Sequence, residues 1–316
     1  MKKLGYLWLL LPLLLAFGKN KKPQHSKYLI TLYVKVPEGK LYTDIEGDFG
    51  KLEEAKILGL DSLEKRDYIR GLDSLSEFYI ASTEVTNENW KEFLYYLKQE
   101  GRIEEYKANI LDTTVWRNNL AFNDPYVDYY FQHPAYKHYP AVGMTLKQST
   151  AYADWLTEIW ALNEKNKKAG VKITFSVPTK KQWIRAARGE TSNFYPWGEP
   201  YLRNSKGIYL SNFKNYDAAN IHFNRETKKY EVISMSQLRD EAIITASVPS
   251  YSPNQFGIYN KSGNVAELVS DDTVAMGGSW NDTGYDVRVE SEQPATEPKS
   301  TVGFRVVAVI EKETSI

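Results

Sequence analysis

The chain has 316 residues, and its 40 basic residues balance 40 acidic ones. A neutral chain has no overall field that would attract nucleic acid or an anionic membrane surface, which argues against both as partners. It contains no cysteine, so disulfides, thiolate zinc sites and iron–sulfur clusters are excluded. Its length is sufficient to bury a substantial hydrophobic core.

The first residues have the composition of an export signal. Two lysines precede an apolar run from Leu4 to Phe17, and the small residues Ala16 and Gly18 lie at its end. The run is shorter than the roughly 20 apolar residues that a membrane-spanning helix needs. We therefore predict a signal peptide over residues 1–18 and a tether over residues 19–27. An uncleaved anchor lying in the membrane interface is the alternative.

Short elements separated by irregular segments are predicted after the tether. In chain order they are a strand over 28–36, a turn at 37–39, a charged helix-compatible segment over 44–75, a strand over 78–80, helices over 87–101, 146–164 and 182–188, and short strands near Ile258, Ala275 and Val306. The alternating β-branched and aromatic residues indicate the first strand, and the spacing of apolar residues after the N-cap Thr86 indicates the first helix. Residues 198–250 are polar, aromatic and aperiodic, which is typical of a functional or pinned segment. A single domain over 28–311, with a tail at 312–316, is the economical prediction.

Several motifs occur in the order expected of one known domain family. They are Val36–Gly39, Phe78–Asn87, Tyr139–Gly143, Ala151–Trp155, Ser176–Trp183, Ala186–Gly189, Tyr195–Gly198, Pro253–Asn254, Gly257–Glu267, Gly277–Trp280 and Gly303–Arg305. Together they resemble the formylglycine-generating-enzyme, or sulfatase-modifying-factor, domain over roughly residues 36–309. The resemblance implies an α+β fold related to C-type-lectin-like domains, with short strands, few helices and much irregular structure.

The chemistry of that family depends on two cysteines that hold copper. The positions that match them here are Asp282 and Val287. Thiolates select Cu(I), valine binds no metal, and an aspartate favours hard cations. The resemblance therefore implies a protein without copper and without catalytic residues.

A related iron-dependent branch of the family needs a cluster of histidines. The chain has four histidines, at positions 25, 133, 138 and 222. His133 and His138 are close in sequence, but Pro134 and Pro140 prevent one helix from aligning them. We therefore expect structural or surface histidines rather than a metal site.

The resemblance implies calcium as a structural ion at two positions. The second site of the family corresponds here to Asn260, Gly263, Val265 and Glu267, and the first to Asn212, the Phe213 carbonyl and Asp240. Amide, carbonyl and carboxylate oxygens form the hard ligand set that Ca²⁺ prefers. The alternative is that Asn260 and Glu267 only stabilise a turn.

A narrower resemblance follows from the less general segments. They are Asp112–Trp116, Asn123–Tyr126, Tyr130–Tyr136, Tyr201–Gly207 and Ser211–Lys214. These segments resemble the gliding-motility lipoproteins of Bacteroidetes, of the GldK/PorK and GldJ type, that are associated with the type IX secretion system. The resemblance implies an exported protein on the periplasmic side of the outer membrane that forms or supports a ring with partner subunits. Gly18 stands where a lipidated cysteine is expected, so membrane association is expected through partners or the uncleaved segment.

Two functions are therefore open at this point. One is a noncatalytic structural or assembly subunit of a type IX secretion or gliding complex. The other is a ligand-binding protein or an enzyme of the same fold, with a pocket near Trp280, Asp282 and Arg288. A dense group of tyrosines serves either a partner surface or the packing of a long loop; its members are Tyr126, Tyr129, Tyr130, Tyr136 and Tyr139.

Overall fold

The structure, a computed structural model, covers most of the chain after the N-terminal segment. The described residues are 32–42, 59, 72–117, 123–162, 171–191, 193–214, 221–232 and 244–312. The predicted signal peptide and tether lie outside these ranges, as do Asp240, His25 and nearly all of residues 44–71.

Five helices and two short 3₁₀ turns are present in the described ranges. The helices are α1 (Asn87–Gln99), α2 (Ile103–Ala108), α3 (Asp124–Gln132), α4 (Leu146–Leu162) and α5 (Lys180–Arg188), and the 3₁₀ turns are Thr113–Trp116 and Pro134–Tyr136. The three predicted helices are confirmed as α1, α4 and α5, whereas the short α2 and α3 were not predicted. In the part of the chain that is described, no helix combines the length and the apolarity of a membrane span.

Reciprocal side-chain caps explain where two of these helices begin. The Asn89 amide donates to the Thr86 hydroxyl at 3.1 Å, and the Thr86 amide donates to the Asn89 side chain at 3.1 Å. The same arrangement joins Thr179 and Gln182 at the start of α5, with distances of 2.9 and 3.2 Å. Each of these reciprocal pairs, called a capping box, satisfies two backbone N–H groups that the start of a helix otherwise leaves unpaired.

In the described residues, twelve short strands form two four-stranded sheets and two two-stranded sheets. They are β1 (Tyr33–Val36), β2 (Gly39–Tyr42), β3 (Leu72–Leu75), β4 (Phe78–Ala81), β5 (Val171–Ser176), β6 (Ile221–Asn224), β7 (Lys229–Val232), β8 (Ala266–Leu268), β9 (Val274–Met276), β10 (Glu292–Pro294), β11 (Val302–Gly303) and β12 (Val307–Lys312). One sheet has the antiparallel order β1-β4-β12-β5, and the other has the order β10-β9-β8-β11, in which β8 and β11 are parallel. Strands β2 and β3 pair with each other, as do β6 and β7.

The strand predictions are confirmed at Ala275 and over residues 78–80. The strand expected near Val306 begins one residue later, and the predicted strand over 28–36 is described from Tyr33. The expectation of a strand at Ile258 is wrong, because Ile258 belongs to a tight turn with Asn254. The Asn254 N–H donates to the Ile258 carbonyl at 2.9 Å, and the Ile258 N–H donates to the side-chain oxygen of Asn254 at 3.1 Å. The prediction of a helix-compatible segment is also wrong for residues 72–75, which form strand β3.

The main core lies between the first sheet and the helices α1 and α4. Trp90 is fully buried, and its ring stacks on Tyr152 with centroids 5.5 Å apart. Phe93 and Phe304 meet the same pair edge to face, at centroid distances between 5.6 and 5.8 Å. Offset and edge-to-face contacts of this kind add to the stabilisation that burial alone provides. The result is an α+β molecule whose two larger sheets come together where β11 is followed by Arg305 and β12.

Candidate functional site

Four ionisable side chains are buried together where the two sheets meet. Glu84 follows β4, Lys261 lies in the loop before β8, Glu267 is inside β8, and Arg305 lies between β11 and β12. Each of the four residues is at most 1% exposed. Burial of isolated charges is strongly unfavourable, so such groups persist only when they are paired and hydrogen bonded.

Glu267 is the acceptor at the centre of this cluster. Its Oε2 accepts hydrogen bonds from Trp183 Nε1 at 2.6 Å, Arg305 Nε at 2.8 Å and Lys261 Nζ at 2.9 Å. Its Oε1 accepts from Arg305 Nη2 at 2.6 Å, which makes the arginine contact bidentate. The Lys261 ammonium also lies 4.2 Å from the centroid of the Trp183 ring, a cation–π distance.

Glu84 is the second carboxylate of the cluster and is held by amides. Its Oε1 accepts from Asn264 Nδ2 at 2.7 Å, and its Oε2 accepts from Asn260 Nδ2 at 3.2 Å. Arg305 Nη2 lies 3.9 Å from Oε2. Burial raises the pKa of Glu84 to about 7, and the positive charge of Arg305 opposes this shift.

The other ionisable groups respond to burial and to each other. Burial lowers the pKa of Lys261 below its ordinary value, and the nearby Arg305 charge acts in the same direction. Burial acts to raise the pKa of Glu267, but Arg305 and Lys261 together hold it below its ordinary value. Glu267 is therefore the carboxylate that stays ionised in this cluster.

The loop before β8 adopts backbone conformations that only certain residues tolerate. Asn260, Gly263 and Asn264 have φ values of 52°, 70° and 63°. A Cβ on Gly263 would lie 2.2 Å from the Asn212 carbonyl oxygen, so no other residue fits there without moving the backbone. This explains the Gly-Asn pair of the motif: it lets the loop approach the irregular segment at Asn212 closely and directs the Asn264 amide toward Glu84.

The residues of the second predicted calcium site share one loop, and the side chains of Asn260 and Glu267 bind different partners. Asn260 donates to Glu84 and to the Val248 carbonyl, at 3.2 and 2.8 Å, and no hydrogen bond joins it to Glu267 in the described structure. Val265 packs its side chain into an apolar cluster, and Gly263 donates its N–H to the Gly277 carbonyl at 2.9 Å. Since four donors from three side chains already surround the Glu267 carboxylate, this carboxylate does not fit a calcium ion.

Of the first predicted calcium site, two residues are described. Asn212 donates its amide to the Ile244 carbonyl at 2.8 Å, and its own carbonyl accepts from the Asn264 N–H at 2.7 Å. Phe213 packs its ring edge to face with Tyr209, at a centroid distance of 5.3 Å. Asp240 lies outside the described residues, so calcium at this position remains a prediction.

The two positions predicted to match the family's cysteines carry side chains that have partners within the fold. The Asp282 Oδ2 atom accepts from the Ser279 N–H at 2.8 Å, from its hydroxyl at 2.5 Å and from Gln293 Nε2 at 3.1 Å. Val287 is fully buried against Tyr195 and Phe213. A capped carboxylate and a buried isopropyl group offer neither a nucleophile nor a soft metal ligand.

Two of the three residues predicted to line a pocket pack against aromatic rings. Trp280 stacks on Trp116, with centroids 6.1 Å apart, and Arg288 lies 3.7 Å from the centroid of the Tyr285 ring. A small cleft is present elsewhere, with Trp197, Tyr251, Ser211 and Ser262 among its lining residues. The hydroxyls of these two serines are buried without a hydrogen-bond partner among the described residues, which suits ordered water.

The two described histidine side chains that were considered as ligands lie apart from this cluster. His133 accepts a hydrogen bond from the Ala135 N–H at 3.1 Å and so caps a 3₁₀ turn. His138 lies 3.5 Å from a carboxylate oxygen of Glu88. Within the described ranges, no three histidine, aspartate or glutamate side chains are grouped as metal ligands.

The group of tyrosines forms a packed unit with one exposed member. Tyr130 is 1% exposed, and its hydroxyl donates to the Pro140 carbonyl at 2.7 Å. Its ring lies 4.5 Å from the Trp116 ring and 5.4 Å from the Tyr136 ring. Tyr129, in contrast, is 56% exposed. Packing therefore accounts for most of the group, and Tyr129 alone is largely available to a partner.

Sequence reasoning located the segments of the buried cluster but not the cluster itself. Glu84, Trp183 and Arg305 lie inside motifs that were recognised, and Glu267 was assigned to a metal. Lys261 was not singled out. A signal was present, because a lysine inside an otherwise apolar and amide-rich motif needs a carboxylate partner when it is buried.

Comparison with known proteins defines the class to which this fold and cluster belong. The family model described as "Sulfatase-modifying factor enzyme 1-like domain" matches residues 29–310. The chain therefore belongs to the formylglycine-generating-enzyme-like (FGE-sulfatase) family.

Curated relatives match only part of this chain. The formylglycine-generating enzymes of Thermomonospora curvata and Streptomyces coelicolor are each 28% identical over 137 residues, 42% of this chain. The uncharacterized protein YfmG of Bacillus subtilis is 28% identical over 127 residues, 40% of this chain. The matched segments span 33%, 32% and 20% of these three relatives, respectively.

Two named proteins are among the solved structures that match this chain. PvdO of Pseudomonas aeruginosa is 18% identical with a TM-score of 0.49, and the match covers 87% of this chain and 93% of that one. CarF is 18% identical with a TM-score of 0.44, and the match covers 87% of this chain and 97% of that one.

Proposed function

We propose that this protein is a noncatalytic member of its family that acts as a structural or assembly subunit of a type IX secretion or gliding-motility complex. In this proposal it is exported and works on the periplasmic side of the outer membrane. One observation supports the loss of catalysis. At the two positions predicted to match the family's cysteines, Asp282 accepts hydrogen bonds from Ser279 and Val287 is fully buried.

The chemical argument is that the reactive atoms have been replaced by groups with structural partners. Asp282 accepts three hydrogen bonds, from Ser279 and Gln293, so its carboxylate is committed to closing the turn that follows β9. Val287 contributes only apolar contacts. Thiol oxidation and copper binding through thiolates both require cysteine, which the chain lacks.

The assembly role is supported by the segments that resemble gliding-motility lipoproteins. Three of them, Asp112–Trp116, Asn123–Tyr126 and Tyr130–Tyr136, fold into one unit in which Trp116 contacts Tyr126 and Tyr130, with ring centroids 5.4 and 4.5 Å apart. Tyr129, which lies between the second and third of these segments on α3, is exposed to solvent. Exposed tyrosines are enriched where proteins bind each other, because the ring combines apolar area with a polar tip.

Catalysis is tested with purified protein, copper and a cysteine-containing peptide of the type that formylglycine-generating enzymes convert. We expect no aldehyde product from the wild-type chain. The double variant Asp282→Cys, Val287→Cys is the matched comparison, since it returns the missing thiols to the same positions. Copper-dependent aldehyde formation by the wild-type chain would refute the loss of catalysis.

Assembly is tested by crosslinking intact envelopes of the source cell, followed by mass spectrometry. We expect crosslinks between this chain and other secretion or gliding subunits, and fewer of them for Tyr129→Ala. Tyr95→Ala is the control, because Tyr95 is also an exposed tyrosine, at 41%, but lies on α1. Recovery of this chain without any envelope partner would contradict the assembly role.

A further inference from the structure

The buried cluster at Glu267 contains an ammonium group where this family's motif implies a structural cation. Lys261 and Glu267 both have fully buried side chains, and the distance from Lys261 Nζ to Glu267 Oε2 is 2.9 Å. The face of the Trp183 ring lies 4.2 Å from the same ammonium, measured to the ring centroid. Carboxylate and indole ring thus enclose the lysine as they would enclose a bound cation.

The charges of the cluster are already balanced without a metal ion. With all four groups ionised, Glu84 and Glu267 supply two negative charges and Lys261 and Arg305 supply two positive charges; a proton passed from Lys261 to Glu84 leaves the sum unchanged. A divalent cation added to this set would leave two unbalanced positive charges in a region that excludes water. Uncompensated buried charge is among the most unfavourable arrangements in a protein interior.

We propose that the Lys261 ammonium takes the place of the structural calcium ion at Glu267, as an internal cation tethered to the chain. This position then requires one positive charge, and the chain folds around Glu267 without divalent metal. The inference is independent of the proposed assembly role, since it concerns the stability of the isolated chain.

The first test uses the wild-type chain, stripped with a chelator and then melted with and without millimolar Ca²⁺. We expect a shift in the melting temperature of less than about 1 °C, because no site at Glu267 is free for the ion. A calcium-dependent rise of several degrees in the wild type that is abolished in Glu267→Gln would overturn the proposal. A rise that persists in Glu267→Gln assigns calcium to another position and leaves the occupancy of Glu267 by lysine as stated.

The second test removes the tethered cation. Lys261→Ala leaves a buried carboxylate short of one positive charge, and we expect its melting temperature to fall by roughly 10 °C. Added alkylammonium ions such as ethylammonium, at millimolar to molar concentration, are expected to recover part of that loss in Lys261→Ala and to leave the wild type unchanged. Lys261→Met fills the same space without charge and is expected to be destabilised without responding to ethylammonium.

An exposed ion pair of the same geometry provides the control. Lys35 Nζ lies 2.8 Å from a Glu77 oxygen, but both side chains are more than half exposed, at 51% and 56%. Lys35→Ala is expected to shift the melting temperature by less than about 2 °C. If Lys261→Ala is no less stable than Lys35→Ala, the ammonium is not a structural cation and the proposal fails.

Discussion

Replacing Arg305 with lysine tests whether the fold depends on the geometry of the buried cluster as well as on its charge. Arg305 donates to both oxygens of Glu267, at 2.6 and 2.8 Å, and to the carbonyls of Ala81 and Tyr259, at 3.0 and 2.8 Å. The variant Arg305→Lys keeps the positive charge. It removes the planar group that reaches four acceptors at once.

The expected cost follows from the acceptors that lose a donor. A single ammonium cannot reach Glu267 and both carbonyls, so at least one of these partly or fully buried acceptors loses its donor. An unsatisfied buried group costs about 1–3 kcal/mol, which sets the expected loss near 2 kcal/mol. For a domain of this size, that loss corresponds to a decrease of roughly 5 °C in melting temperature.

Urea unfolding followed by tryptophan fluorescence measures this loss. The midpoint should decrease while the dependence of the unfolding free energy on denaturant stays constant, because the native fold is retained. Arg102→Lys is the matched control. Arg102 makes the same two-pronged contact with Glu105, at 2.8 and 2.5 Å, but its side chain is 31% exposed. It should lose less than about 1 kcal/mol. Equal losses for the two variants would refute the argument that burial makes the geometry of Arg305 important.

Four further substitutions, one of them a control, have expected effects on the free energy of unfolding, measured by the same method. Thr179→Ala removes the cap of α5 and should cost about 1 kcal/mol; an unchanged midpoint would show that the capping box does not stabilise the helix. Gly278→Ala places a Cβ 2.4 Å from a carbonyl oxygen and should cost about 3 kcal/mol, whereas Gly207→Ala, at a similar positive φ but in open space, should cost about 1 kcal/mol. Equal costs at the two glycines would contradict the clash. Tyr130→Phe removes the hydroxyl that contacts Thr245 at 2.8 Å and should cost about 1–2 kcal/mol, and a gain in stability would show that this hydroxyl is not satisfied in the native state.

The sequence predicted those elements whose signals are local. The α1 helix was placed correctly because an N-cap residue and apolar residues at helical spacing lie within a few positions of each other. The α3 helix was missed because its first residues include a proline and its composition is that of a loop. The expected strand at Ile258 failed because its apolar side chain is buried by a turn that Asn254 organises.

The candidate site likewise has features that the sequence predicted and features that it did not. Motif order identified the family, and the absence of cysteine excluded copper–thiolate chemistry without any coordinates. The match of Asp282 and Val287 to the family's cysteines stays a prediction. The assignment of Glu267 to calcium followed from its motif alone. The structure instead places two cations and an indole N–H around that carboxylate.

The order of its residues alone determines this protein's family, the start of α1 and the absence of cysteine ligands, because each depends on residue type or on near neighbours. Only the folded chain reveals the buried cluster, since its contacts join residues far apart: Glu84 and Asn264 are separated by 180 positions, and Arg305 and the Ala81 carbonyl by 224. The periodicity of apolar residues along the chain carries no information about contacts between such distant residues. Whether a lysine is a solvated surface charge or an internal counter-ion depends on which strands pack over it, and that is decided by the tertiary structure.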